Sequence, residues 1–152
     1  RHVRGKTGFI QAMLRLPATW KEEKETEDAA FGALEFVSMQ DSAYEIVSNL
    51  SFGKQRAVEL ARAITAEPEL LLLDEPASGL NIQETEELAG LITSIKDRGI
   101  TILLVEHDMS LVMDISDEIM VLNFGKKLAE GSPREIQKNR EVISVYLGEE
   151  DA

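Results

Sequence analysis

Hydrophobic positions change period along the chain, and the change sorts it into helices and strands. Ala30, Phe31, Leu34 and Val37 recur at helical spacing after a charged run at 21–28, and Pro17 separates this segment from an earlier apolar helix with Ile10, Met13 and Leu14. Residues 1–49 therefore read as helical and polar. A glycine-containing turn at 50–54 leads into a good helix former at 55–66. Residues 70–73 are four leucines bounded by Pro68 and Pro76, the pattern of a short strand buried on both faces. Leu88, Leu91, Ile92 and Ile95 then mark one face of a helix of about four turns, which Gly99 ends. Residues 100–105 form a second, β-branched strand, followed by a short helix at 109–116 and a third strand at 118–122. Phe124-Gly125-Lys126 turns the chain into a short fourth strand near 127–129. Ser132-Pro133-Arg134-Glu135 is a capping box with proline at the first helical position, and a last helix spans about 141–147 before Gly148. Buried strands alternating with helices predict an α/β fold with a mostly parallel sheet. No internal repeat or low-complexity segment interrupts the pattern.

Composition narrows the functional classes. The 152 residues suffice for one domain or a large part of one, and 43% hydrophobic with 29% charged residues is a globular balance. The apolar runs are too short to cross a bilayer, and no secretory signal is visible. Without cysteine there are no disulfides or thiolate metal sites. A net charge of −12 argues against a nucleic-acid partner, because phosphate-backbone affinity comes from clustered Lys and Arg. The chain opens on Arg1 instead of Met, as the remainder of something longer would.

Three clusters carry chemistry. Asp74 and Glu75 end an otherwise apolar strand, where ligands of open α/β sheets bind. Asp74 has the chemistry to support a magnesium ion beside phosphate oxygens, and Glu75 to orient or deprotonate a water. An acidic strand end followed by a simple turn reads the same way. Leu50-Ser51-Phe52-Gly53-Lys54-Gln55-Arg56 stands at a helix mouth, where free N–H groups and the helix dipole favour an anion. Gly53 permits close approach and Ser51 adds a hydroxyl, although an ordinary N-cap at Ser51 has the same appearance. His107, in Val105-Glu106-His107-Asp108, ends the second strand, a place where histidine is more often structural. His2 has no comparable context.

Their order is more specific than any one of them. A Ser-x-Gly turn, an acidic strand end 23 residues later, Ser78-Gly79-Leu80-Asn81 and a strand-end histidine together resemble the C-terminal half of an ATP-binding-cassette (ABC) ATPase. Residues 50–56 match the signature motif of that family, 70–75 its Walker B motif and catalytic glutamate, 78–81 its D-loop, and His107 its switch histidine. Lys6-Thr7-Gly8 after His2, Val142-Ile143 with Tyr146-Leu147-Gly148-Glu149, and Glu106-His107-Asp108-Met109 with Val112-Met113 are similar to ATPase subunits of bacterial branched-chain amino-acid uptake transporters. Phe52 and Lys54 replace the usual glycine and glutamine of the signature, and Asn81 replaces the commoner aspartate of the D-loop. Phe52 and Asn81 are substitutions seen in this branch, and Lys54 adds a cation where phosphate is expected.

The resemblance implies the C-terminal part of a P-loop NTPase, with an incomplete sheet and a helical subdomain. Residues 1–49 would be the helical subdomain, 50–131 the C-terminal half of the ATPase core, and 132–152 a helical tail. ATP and Mg2+ are the implied cofactors. Glu75 and His107 would be catalytic, Asp74 the metal ligand, and Ser51, Gly53, Lys54, Gln55 and Asn81 nucleotide contacts. Implied partners are a second ABC ATPase subunit, permease subunits at the cytoplasmic face of the inner membrane, and a P-loop half lying upstream. Gly5-Lys6-Thr7 mimics the tail of a P-loop, but Arg1, His2, Val3 and Arg4 are bulky for a phosphate-wrapping loop, no strand precedes them, and only 68 residues separate Lys6 from Asp74. Without the P-loop strand the sheet would hold unpaired backbone groups, so the segment alone is expected to be unstable, rearranged or paired with another chain. A non-catalytic assembly surface, and an ABC ATPase of another transport, translation or DNA-repair system, are the alternatives. Acidity, absent heptads and the lack of a basic arm count against translation and repair.

Overall fold

The computed structural model describes residues 17–147. The earlier apolar helix, His2, Lys6-Thr7-Gly8 and the Gly148-Glu149 end of the tail lie outside the described residues. The fold divides into two compact units that meet in sequence between Leu104 and Val105, and each is described by itself.

In the first unit, helix α1 spans Pro17–Phe36, with proline at its first residue, where a missing N–H costs nothing. Two short 3₁₀ turns, Gln40–Ser42 and Val47–Asn49, lead to helix α2, Phe52–Ile64. Ala33, Val37, Met39, Leu50, Ala57 and Ala61 form one buried cluster, with Leu34, Phe36, Val58, Ile64 and Leu91 packed on it. The buried stripe of α1 therefore runs through Ala33 and Val37, whereas Ala30, expected on it, is exposed. The Arg98 guanidinium sits over the Phe36 ring at 3.6 Å and seals the end of this cluster.

Strand β1 (Leu70–Asp74) and strand β2 (Thr101–Val105) are hydrogen-bonded neighbours in a small parallel sheet, connected by helix α3, Ile82–Asp97. The α/β class holds. Gly99, at φ 86°, reverses the chain after α3, a conformation that a side chain would disfavour. Burial on both faces does not hold: Leu71 is buried, but Leu70 and Leu72 are 52% and 65% exposed, and Leu103 and Val105 of β2 are exposed as well. Among the described residues, this two-stranded sheet is covered on one face only, so the leucine run alternates in burial although it does not alternate in sequence.

The second unit contains helix α4 (Met109–Ile115), strands β3 (Ile119–Asn123) and β4 (Lys126–Gly131), and short helices α5 (Pro133–Ile136) and α6 (Arg140–Val142), the last continued by a π turn at Ile143–Leu147. Instead of extending the parallel sheet, β3 and β4 form a separate antiparallel hairpin with Asn123 opposite Lys126. The two-residue loop explains this. Phe124 and Gly125 both have positive φ, 46° and 76°, as a type I′ hairpin turn requires. Ile119 and Val121 face Ile136 and Val142 in a second buried cluster. The Tyr146 hydroxyl donates to the Leu122 carbonyl at 2.5 Å and ties the tail to the hairpin.

Candidate functional site

The start of α2 is the first half of the site. Ser51 is extended at φ −61°, ψ 160° and is the N-cap of α2; its Oγ accepts from the Lys54 N–H at 3.4 Å. The hydroxyl hydrogen remains available as a donor. The Gln55 side-chain amide donates to the Leu50 carbonyl at 2.9 Å and braces the turn from within. Lys54 is exposed beside this mouth. Arg56 lies over the Phe52 ring at 5.4 Å while its guanidinium pairs with Glu59 at 2.7 Å.

The second half begins where β1 ends. Asp74 is the last strand residue and is exposed. Glu75 follows in a left-handed conformation, φ 44°, which is uncommon for a residue with a side chain and breaks the alternation of the strand. The turn after it closes through Ser78 N–H to the Glu75 carbonyl and Leu80 N–H to the Ala77 carbonyl, each 3.1 Å. Asn81 then caps α3: its Oδ1 accepts the Glu84 N–H at 3.0 Å, and the Glu84 carboxylate accepts the Asn81 N–H at 3.2 Å.

Glu84 also reaches back. Its other oxygen, Oε1, accepts the Gly53 N–H at 3.2 Å. This corrects the expectation that the N–H groups at the start of α2 are open to an anion, since a carboxylate of the same chain engages that of Gly53. The contact across 31 residues has no signal in the sequence, because only the packing of α2 against α3 makes it.

His107 belongs to the second unit. The Glu106 side chain is 1% exposed, and its Oε2 accepts the His107 N–H at 3.0 Å. The same oxygen is 3.7 Å from His107 Nδ1, and the imidazole is 72% exposed. Asp108 caps α4 by accepting the Leu111 N–H at 3.1 Å. A buried carboxylate thus fixes the backbone that holds up an accessible imidazole. Sequence reading named His107 and missed Glu106, whose signal was an acidic residue at the end of a strand with no other charge.

The structure joins Gly53 and Asn81 through Glu84, places Ser51 at the N-cap before Gly53 and Asp74 and Glu75 on the turn leading into Asn81, and sets His107 in its own unit. Among the described residues no group of three or more His, Asp or Glu side chains is arranged to hold a metal alone. Asp74, exposed at the strand end, has the carboxylate chemistry for magnesium beside a nucleotide, which takes one or two carboxylates and completes its shell with phosphate oxygens and water.

Known proteins resemble this chain over nearly its whole length. A family profile described as "ABC transporter" matches residues 1–78, and one described as "Branched-chain amino acid ATP-binding cassette transporter" matches residues 126–152. The high-affinity branched-chain amino acid transport ATP-binding protein LivG of Salmonella typhimurium is 47% identical over 150 residues, which cover 98% of this chain and 59% of that protein. BraF of Pseudomonas aeruginosa, with the same description, is 43% identical over 150 residues, 98% and 58% of the two chains. A crystal structure of the ADP conformation of an ATP-binding cassette of an ABC transporter superposes with a TM-score of 0.76 at 28% identity, covering 82% of this chain and 51% of that one. The chain spans less than two thirds of the length of the curated relatives it matches.

Proposed function

This chain belongs to the ABC transporter family, whose ATPases bind nucleotide, and from that premise we propose that it serves in the ATP-hydrolysing subunit of an importer for branched-chain amino acids. The observation that carries the reading is the fixed order of a capped Ser-x-Gly helix mouth, an Asp-Glu strand end and an Asn-capped turn, the first and last of which Glu84 joins.

Each residue has a task that its position allows. Ser51 donates its O–H to a terminal phosphate oxygen at the start of α2, and the helix dipole and Lys54 favour the same anion. Gln55 keeps that turn in shape through Leu50. Gly53, whose N–H is held by Glu84, leaves the space that the Glu84 carboxylate occupies beside this mouth. Asp74 would hold the magnesium ion, which supplies charge neutralisation at the phosphate oxygens when bound. Glu75 accepts a hydrogen bond from the attacking water and aligns it, a contribution of about 10²- to 10⁴-fold for a positioned base. His107 donates to a phosphate oxygen from its exposed ring, with Glu106 holding the backbone beneath it. Asn81 shapes the turn between the acids and α3. Catalysis of this kind is mostly positioning and charge stabilisation.

The signature mouth faces the nucleotide of a second ATPase subunit, and residues 1–49 face the permease. Residues 50–131 carry the catalytic motifs, and 132–152 form the tail. Among the described residues no helix is long and apolar enough to cross a membrane, in keeping with a peripheral place at the cytoplasmic face of the inner membrane, beside permease subunits.

The test is uptake by vesicles holding the subunit assembled with its permease. ATP-driven accumulation of labelled leucine, isoleucine or valine is the expected result. ATP-driven uptake of none of the three would overturn the substrate class.

A further inference from the structure

Resting on that reading, we propose that Glu84 is a positioning residue that locks the signature turn to the D-loop turn within one subunit. The carboxylate spans two motifs. Oε2 accepts the Asn81 N–H and Oε1 the Gly53 N–H, each at 3.2 Å. Capping explains the first contact only. The second crosses from α3 to the first turn of α2, and the space for it exists because residue 53 has no side chain: a Cβ there would lie 2.9 Å from Glu84 Cγ.

A second contact closes the same gap. Gly79 of the D-loop turn has φ 82°, and a Cβ on it would lie 3.1 Å from Cε1 of the Phe52 ring. Phe52, which departs from the usual glycine, thus seats on the D-loop of its own chain. Below these contacts, Leu91 of α3 packs on the cluster that contains Ala57 and Ala61 of α2. The two turns are held by a carboxylate bridge, a ring on a glycine and an apolar base. A displacement of the D-loop turn is then passed to the Ser51 turn, which presents its hydroxyl to phosphate while Glu84 keeps the Gly53 N–H.

Glu84→Gln separates this role from helix capping. Glutamine serves in a capping box as glutamate does, so α3 keeps its N-terminus. Its amide has one acceptor oxygen and meets the other N–H with a donor, so one arm of the bridge opens. Glu84→Ala opens both.

The test reads hydrogen exchange at the Gly53 and Asn81 amides, the unfolding midpoint, and ATP turnover of the assembled transporter. The expected result is faster exchange at one of these amides in Glu84→Gln and at both in Glu84→Ala. The glutamine variant keeps the wild-type midpoint. Its kcat falls roughly 10- to 100-fold, the scale of a displacement of about 1 Å, with KM for ATP unchanged. Unchanged exchange at both amides in Glu84→Ala, or a wild-type kcat in Glu84→Gln, overturns the proposal. A wild-type protein without ATP turnover counts against the ATPase reading, and the exchange data then decide the lock by themselves, since they need no nucleotide.

Discussion

Substitution at Ser51 separates the two tasks of that hydroxyl. As a cap it is weak. The hydrogen bond from Lys54 N–H is 3.4 Å long, outside the usual range of about 2.7–3.2 Å, and the residue is exposed. Ser51→Ala therefore costs about 0.5 kcal/mol, the low end for lost N-caps. For a chain of this size that is a fall in Tm of about 1–2 °C. Ser51→Asp caps as well as serine and adds a charge that the helix dipole favours, so it holds or raises stability. Toward phosphate the aspartate has the opposite effect. A unit charge placed about 4 Å from another of like sign costs about 4 kcal/mol at an effective dielectric constant near 20. At about 1.4 kcal/mol per tenfold, turnover falls by nearly three orders of magnitude. Lys54, close by, trims that figure without reversing it. The assay pairs thermal unfolding with ATP turnover of the assembled protein for Ser51→Ala, Ser51→Asp and Ser51→Thr. Threonine, which keeps the hydroxyl, stays near wild type in both. Wild-type turnover by Ser51→Asp would show that this helix mouth does not face phosphate. A loss above about 2 kcal/mol in Ser51→Ala would show that the cap, and not anion binding, is its main task.

Two further outcomes concern the second unit. The Glu135 carboxyl is held below its ordinary value, first by the Ser132 hydroxyl and then by the Ser132 N–H, against a small opposing effect of desolvation. A lowered folded value means that its contribution is complete above the unfolded pKa and is lost as pH falls through the folded one. Acid titration followed by exchange at the α5 amides shows this slope in wild type and not in Glu135→Gln. Ile136 is 1% exposed among Ile119, Val121 and Val142, so Ile136→Ala costs roughly 2–5 kcal/mol, read as lost amide protection in β3 and β4.

What was legible in the sequence was local. The Ser132 to Glu135 box and the glycine that ends α3 depend on residues within one turn of each other, so spacing reveals them. The helix mouth at Ser51, the acidic strand end and the strand-end histidine were visible for the same reason. Face assignments were less secure. A helical stripe tolerates a shift of one position, which put Ala30 on a buried face that runs instead through Ala33 and Val37. Four consecutive leucines carry no alternation, so nothing in residues 70–73 says which face the fold covers. Pairing partners are invisible too, and the antiparallel hairpin depends on positive φ at Phe124, a residue that seldom advertises it. The reach of Glu84 to Gly53 needed two helices brought side by side.

Glu75, at the end of β1, is proposed to align the water that cleaves a nucleotide held by this protein. Turnover and retained nucleotide in Glu75→Gln test it most directly, because the amide keeps the shape of the side chain and loses its basicity. The predicted result is a loss of turnover of about 10²-fold or more with ATP bound and uncleaved. Turnover at the wild-type rate would contradict it.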